Sequence, residues 1–404
     1  MRRLVRLNAA SMAAPKGFSR RIAMRGRVDI DDLILNFDPA APQDRFRDGR
    51  LGDALVTAEA ALPQPIPWPT EEAPVAAPLP NPPSPTDDLS QFHGYDAIVV
   101  TWTAAEASAL ASLFAPGHPT ASWYEYRHGV SAYLPLVTGA KAPFNSSSSE
   151  MARYRHSLGL YFPCQIGGAR VLLFKSGLHL DYDGPAIPVF KLMSELAQTV
   201  APKLFITTGT GGGIGSGVKL GDVVIAGTVR FDCKTQFAGQ SWANSSFAAS
   251  KLPPGALEAL TPALTRVNAA RIPGARAVPQ FFSAATDAVV TTDFFAFDDS
   301  TDHYGLQGLG QACDMGDAMV ARAMQGFPDI QWYSIRNASD PQIPNPTNDI
   351  EKAAQQAALI YARYGGLTTA ASLIATWAII SAGVRYALRA NDASQRSRFK
   401  LGRT

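Results

Sequence analysis

The chain has 404 residues, 46% of them hydrophobic and 17% charged, with a formal net charge of +2. That is enough for one large folded domain plus extensions, and the near-neutral balance gives no reason to expect a nucleic-acid partner. Three scattered cysteines (Cys164, Cys233, Cys313) and six histidines without H-x-x-x-H or H-E-x-x-H spacing argue against a disulfide framework, a metal site or a metal cofactor, and fit a reducing, cytoplasmic setting.

Residues 1–61 form an N-terminal region that opens with Arg2, Arg3, Arg6, Lys16, Arg20, Arg21, Arg25 and Arg27 and has no acid before Asp29. It lacks the apolar core of a secretory signal. A disordered basic tail is the plainer reading, and an organelle transit peptide is the other. Residues 29–37 and 51–62 have room for a short strand and a helix. Residues 62–85 then carry ten prolines in 24 positions. Proline lacks an N–H and restricts the residue before it, so residues 62–92 are expected to be an extended linker, with the main domain starting near His93.

Within residues 93–390, Ala97–Val100 is a buried-strand pattern. Thr103 is placed to cap the following helix, with Glu106 three residues on as the partner of a capping box. Residues 116–163 are loop-rich, with NSSSSE at 145–150, and suit a lid, an oligomer contact or a plain insertion. Arg170–Gly177 reads as a strand entering a turn, and Pro188–Val200 as a helix. Leu204–Thr208 reads as a strand leading into a turn with six glycines between Gly209 and Gly217, followed by a strand over Asp222–Phe231. Glycine admits φ > 0 and close backbone approach, so Thr210, Gly211 and Gly212 can cradle a small polar ligand at a strand end. The spacing fits neither G-x-G-x-x-G nor G-x-x-x-x-G-K-[ST].

Phe281–Val290 is another strand candidate. Gln311–Met324 has helical periodicity, with Asp314 and Asp317 on one face. Gln331–Asp340 reads as a strand ending in a polar turn before Pro341. Asp349–Arg389 closes the domain as helix. Its stretch Tyr364–Val384 holds no charge over 21 positions, long enough to span a bilayer. Five Ser and Thr residues dilute it and Gly365-Gly366 break its start, so a core helix packed on the sheet is expected rather than a membrane anchor. Residues 391–404 form a basic tail expected to fray.

The wording ITTGTGGGIGSGVKLGDVVIA resembles the purine nucleoside phosphorylase / methylthioadenosine nucleosidase superfamily, where a TG-S/T-x-G-G turn leads to a "lGDVVva" strand. Phe281–Val290 resembles its "iaSGDaFv" element and Gln331–Asp340 its "vR-x-i-S-D" ending. The resemblance implies an α/β fold, a three-layer phosphorylase/nucleosidase-like domain with a central mixed sheet, and a homo-oligomer of at least two subunits. It implies that Asp340 protonates purine N7 and Glu106 positions the attacking water, with Thr210, Gly211 and Gly212 lining the site. Val289 falls where an aromatic often stacks on the base. Asp314 and Met315 match the first two places of an E-M-E motif whose second glutamate grips the ribose hydroxyls. That glutamate is replaced by Gly316, and Asp317 stands one residue late, about 100° around a helix.

A superfamily phosphorylase carries an arginine before the glycine turn and a G-D-P-x-R loop. Here Thr207 and Thr208 precede Gly209, and no such loop follows residue 93. The resulting expectation is a purine nucleoside or nucleotide N-glycosidase using water, with no cofactor and a small-molecule nucleoside as ligand. The alternatives are a phosphorylase with a non-standard phosphate site and a non-catalytic nucleoside-binding regulatory or effector domain.

Overall fold

A computed structural model describes Leu35 and residues 66–139, 157–264, 272 and 274–401, with side chains of the last helix to residue 383. Apart from Leu35, the basic N-terminal region and the strand and helix expected before residue 62 lie outside the described residues, as does the NSSSSE segment.

In chain order the main elements are β1 (Val75–Ala76), β2 (Ala97–Thr101), α1 (Ala104–Phe114), β3 (Tyr124–Tyr126), α2 (Val130–Tyr133), β4 (Gly159–Ile166), β5 (Ala169–Ser176), α3 (Pro188–Val200), β6 (Leu204–Gly213), β7 (Val223–Ile225), β8 (Thr228–Asp232), β9 (Ser246–Ala248), α4 (Ala256–Leu264), β10 (Phe281–Phe282), β11 (Ala288–Thr292), β12 (Ala312–Asp314), α5 (Asp317–Met324), β13 (Gln331–Asp340) and α6 (Ile350–Leu401). The strands make one mixed sheet whose main path runs β1-β4-β5-β2-β6-β12-β11-β8-β9, with β13 and β7 branching from β6. Apolar clusters cover both faces. One holds α3 and α5 residues such as Leu192, Met193, Met319 and Val320. The other joins α1, α4 and α6 through Leu110, Leu260, Leu373 and Trp377. This is the expected three-layer α/β arrangement around a mixed sheet.

β6 is the hinge of the topology. On one edge β13 pairs with it in parallel along nearly its whole length. On the other, β2 pairs in parallel with Leu204–Thr207, and β12 pairs antiparallel with Gly212 and Gly213. Between those two partners the β6 edge is open at Thr208–Gly211, and the cavity described below forms there.

Several expectations are corrected by this arrangement. The first glycines do not form a turn. They continue β6 as far as Gly213, because β12 and β13 supply ladder partners that a local reading does not see. The predicted strand Asp222–Phe231 is split into β7 and β8, which join different neighbours. Gln311–Met324 is not one helix, because Ala312–Asp314 is strand β12 and α5 begins at Asp317.

The proline-rich segment is extended but is not a free linker. β1 pairs with β4, Trp68 packs on Trp377 at 5.0 Å between ring centroids, and Trp377 Nε1 donates to the Glu72 carbonyl at 2.7 Å. Leu89 and Phe92 are fully buried. The folded unit therefore begins before His93.

α6 runs unbroken through Gly365-Gly366 and its backbone stays helical through the expected tail to Leu401. Its Ile350–Gly383 segment is long and apolar enough to cross a membrane, yet 89% of the apolar window is buried inside the protein. Its polar residues have partners in the sheet. Thr368 and Ser372 meet Asn337, and Thr376 meets Thr208. These bonds fix α6 on β6 and β13 as a core helix.

Candidate active site

The Thr103–Glu106 pair forms the capping box that the spacing predicts. Thr103 Oγ1 accepts the Glu106 N–H at 3.1 Å, and Glu106 Oε2 accepts the Thr103 N–H at 2.9 Å. Oε2 also takes the Thr101 hydroxyl at 2.6 Å and the Trp102 N–H at 3.0 Å. Oε1 crosses to the open edge of β6 and accepts both the backbone N–H of Thr210 (2.6 Å) and its hydroxyl (2.7 Å). Glu106 thus receives five hydrogen bonds while buried. Burial opposes its charge, but the Arg336 guanidinium and the donors on Thr101, Thr103 and Thr210 prevail and hold the carboxyl below the usual glutamate range.

The glycines of β6 make room for this. A Cβ at Gly209, whose φ is +147°, would lie 2.3 Å from Glu106 Oε1. A Cβ at Gly212 would lie 2.9 Å from Cys313 Sγ and 3.2 Å from Asp340 Oδ2. The close backbone approach read from the sequence is therefore real, but it is made from a strand.

Asp340 ends β13. The register against β6 slips between Ala338 and Asp340, and such a bulge re-aims a side chain. Ser339 Oγ donates to Asp340 Oδ1 at 2.9 Å and also to the Gly211 carbonyl at 3.2 Å. Burial dominates the Asp340 carboxyl and pushes its pKa up to about 7, against the smaller opposing effect of the Ser339 bond.

Glu106, Asp340, Thr210, Gly211, Gly212, Asp314 and Met315 all line one cavity, together with Trp102, His179, Phe295, Gly316, Arg336 and Tyr361. The space within it amounts to about 70 Å³ and opens to solvent. His179 is neutral there, since burial drives its pKa down to about 3.

Two predicted binding residues are placed elsewhere. Val289 is fully buried in β11, beside Val229 in the sheet register and in the same apolar cluster, and does not line the cavity; Phe295 and Ala296, a few residues on, reach the cavity instead. Asp317 does not face the cavity. Arg336 Nε donates to Asp317 Oδ2 at 2.8 Å, Arg336 Nη2 meets Asp317 Oδ1, and Ser334 Oγ donates to the same carboxylate. Burial opposes the Asp317 charge, but Arg336 outweighs it and keeps the carboxyl below its ordinary range. Asp314 accepts Thr291 Oγ1 at 2.6 Å and the Asp317 N–H at 2.9 Å, so it also caps α5. Burial and the neighbouring Asp317 charge raise its pKa.

Arg336, within the Gln331–Asp340 strand, is a site residue that the sequence motifs do not mark. It lies 3.2 Å from Asp314 Oδ2 and 3.6 Å from Glu106 Oε1, besides its pairing with Asp317. One guanidinium therefore ties α1, β12 and α5 to β13. The available signal is the single cation in a strand expected to lie in the sheet core, since a buried cation needs buried acids.

A family profile described as "Phosphorylase superfamily" matches residues 135–364, more than half of the chain. The chain belongs to the phosphorylase superfamily. The matched span of this superfamily domain includes every cavity residue on β6, β12 and β13, whereas Trp102, Thr103 and Glu106 precede it. The solved structures similar to it include the 5′-methylthioadenosine/S-adenosylhomocysteine nucleosidase of Neisseria meningitidis with methylthio-immucillin-A, at 17% identity and TM-score 0.43, covering 71% of this chain and 99% of that one. The futalosine hydrolase of Helicobacter pylori is 12% identical, with TM-score 0.44 and coverage of 70% and 97%. No curated protein matches.

Proposed function

We propose that the chain is a purine nucleoside N-glycosidase that releases the free base with water as nucleophile. The observation that carries this is the pair of carboxyls in one cavity with opposed ionisation. Asp340 is pushed up to about 7 by burial, whereas Glu106 is held ionised by Arg336 and its five donors. Environments that drive two acids apart assign the acid and the base. A protonated Asp340 donates to purine N7 and makes the base a better leaving group. The ionised Glu106 orients water toward C1′ and faces the positive charge that develops on the sugar.

Water is favoured over phosphate. Arg336, the guanidinium in the cavity wall, is already engaged by Asp317, Asp314 and Glu106. Thr207 Oγ1 donates to the Tyr333 carbonyl, Thr208 Oγ1 accepts from Thr376, and neither residue lines the cavity, so neither supplies a phosphate clamp, which requires cationic, uncommitted donors. One observation supports a second reading, a nucleoside-binding domain with little turnover. Five protein donors already occupy the Glu106 oxygens, so activating water requires Thr210 Oγ1 to give up Oε1.

The test is base release from adenosine, methylthioadenosine, S-adenosylhomocysteine, inosine, guanosine and AMP, with and without phosphate, alongside Asp340→Asn and Glu106→Gln. Release without phosphate, lost in both variants, is the expected result. Release only with phosphate means a phosphorylase, and nucleoside binding without release means a binding domain.

A further inference from the structure

Tyr361 is a buried phenol in the cavity wall that the two-carboxyl scheme leaves without a task. It comes from α6, is 3% exposed and lines the cavity together with Thr103, Glu106 and Thr210. Its hydroxyl donates to Thr103 Oγ1 at 2.8 Å, and the same Thr103 oxygen accepts the Glu106 N–H at 3.1 Å. Burial raises the Tyr361 pKa well above the phenol range, the Glu106 charge adds to this, and the Thr103 and Thr210 hydroxyls oppose it. The phenol therefore keeps its proton. A phenol oxygen donates once and also accepts. The donor half is spent on Thr103. The acceptor half is within reach of the Thr210 hydroxyl, which acts on the phenol but gives its proton to Glu106 Oε1 at 2.7 Å. A threonine hydroxyl turns about its Cβ–Oγ1 bond, so this one proton has two acceptors, a carboxylate oxygen and a phenol oxygen. The Thr210 backbone N–H stays on Oε1 at 2.6 Å in either case.

We propose that Tyr361 is the positioning residue of the hydrolytic step: its phenol oxygen takes over the Thr210 hydroxyl and so opens Glu106 Oε1 to the O–H of the attacking water. This rests on the N-glycosidase reading above and answers the arrangement that speaks against it, the full set of donors on Glu106. The charged acceptor is the stronger one and holds the hydroxyl until a water brings a replacement donor. The phenol then keeps the released hydroxyl from being buried without an acceptor. No proton changes its covalent owner in this exchange. Without the phenol oxygen the hydroxyl has no second acceptor among the described residues, and water reaches Oε1 only against that loss.

The experiment measures kcat and KM for base release from adenosine and methylthioadenosine, with pH profiles, on the full chain and on Tyr361→Phe, each alone and combined with Thr210→Val or Thr210→Ser. The phenyl ring keeps the packing against Ala358 and Phe295. The expected result for Tyr361→Phe is a fall in kcat of roughly 5- to 100-fold, the value of one buried hydroxyl left without an acceptor. KM stays unchanged, and the falling limb that Asp340 sets near pH 7 does not move. In the Thr210→Val background Oε1 carries no hydroxyl, so Tyr361→Phe costs nothing further; in Thr210→Ser the cost returns. Thr210→Ala replaces the valine variant if the latter does not fold. An unchanged kcat in Tyr361→Phe, a loss carried by KM or by a shifted limb, or an equal loss in the valine and parent backgrounds overturns the inference and leaves the N-glycosidase reading standing. So does a folded Thr210→Val or Thr210→Ala chain without base release, since a hydroxyl that must leave Oε1 is not one the reaction needs. No base release from the parent removes both.

Discussion

Glu106 Oε1 takes both hydrogen-bond donors of Thr210, the backbone N–H at 2.6 Å and the hydroxyl at 2.7 Å, where β6 has lost β2 and not yet gained β12. The carboxylate stands in for the missing strand. It satisfies a sheet N–H that would otherwise be buried and unpaired, while its second oxygen caps α1. Structural and chemical roles therefore fall on the same group, and its substitution should damage both. Glu106→Gln places an amide NH₂ against some of five donors that need an acceptor. Loss of one partner in a buried charged cluster costs about 3–5 kcal/mol, so urea unfolding should show a loss of that order, together with at least about a hundredfold drop in base release. A variant as stable as the parent would mean that the carboxylate is not holding the β6 edge.

Gly209 tests the same contact from the strand side. A methyl group there would lie 2.3 Å from Glu106 Oε1 on a backbone with φ of +147°. Gly209→Ala combines overpacking, at about 1–3 kcal/mol, with a backbone conformation that alanine rarely adopts. Thermal unfolding should show a large loss, and base release should fall because Glu106 is displaced. Gly217→Ala, with nothing near its Cβ, should do neither.

The Asp340 carboxyl gives the pH dependence a definite sign. Its folded pKa is raised to about 7 by burial, so the protonated form is the one the fold favours. The stability it contributes is complete below the ordinary aspartate range, near pH 4, and is lost as pH rises from there to about 7. Activity should hold to about pH 7 and then fall tenfold per pH unit as the proton donor is lost. Asp340→Asn keeps an oxygen for the Ser339 hydroxyl but cannot ionise. It should be nearly inactive, yet more stable than the parent at pH 8 by up to about 4 kcal/mol. Equal or lower stability of the variant at pH 8, in denaturant titrations, would contradict the buried-acid assignment.

What the sequence disclosed about the site follows from how local each signal is. The Thr103–Glu106 box spans four residues, and its bonds are made within that span. Asp340 stands at a strand end before Pro341, a boundary visible in the chain itself. The glycines mark the place of closest approach in the sequence, but their local pattern is that of a turn. Their strand geometry comes from β12 and β13, which lie about a hundred or more positions away, and no local pattern reports that pairing. The place of Val289 is not legible locally, because alternate residues of a strand face opposite layers and nothing in β11 alone says which layer holds the cavity. Asp317 is claimed by Arg336, and that ion pair depends on how α5 packs against β13.

The docking of the proline-rich stretch is hidden from the sequence for a related reason. Prolines exclude helix and central strand but leave open whether an extended chain is free or docked. Trp68 settles this in the structure. Its ring packs on Trp377 of α6 at 5.0 Å and on Phe114 of α1 at 6.5 Å, and the Trp377 N–H reaches back to the Glu72 carbonyl. The strap thus closes the seam between α1 and α6, the helices that carry Glu106 and Tyr361 to the cavity. Trp68 is half-buried, so Trp68→Ala should cost less than a full core aromatic, about 2–3 kcal/mol. Because the strap bridges two site-bearing helices, the loss should appear in global denaturant unfolding as a lowered midpoint with unchanged slope. An unchanged midpoint would mean that residues 66–92 behave as the free linker their composition suggests.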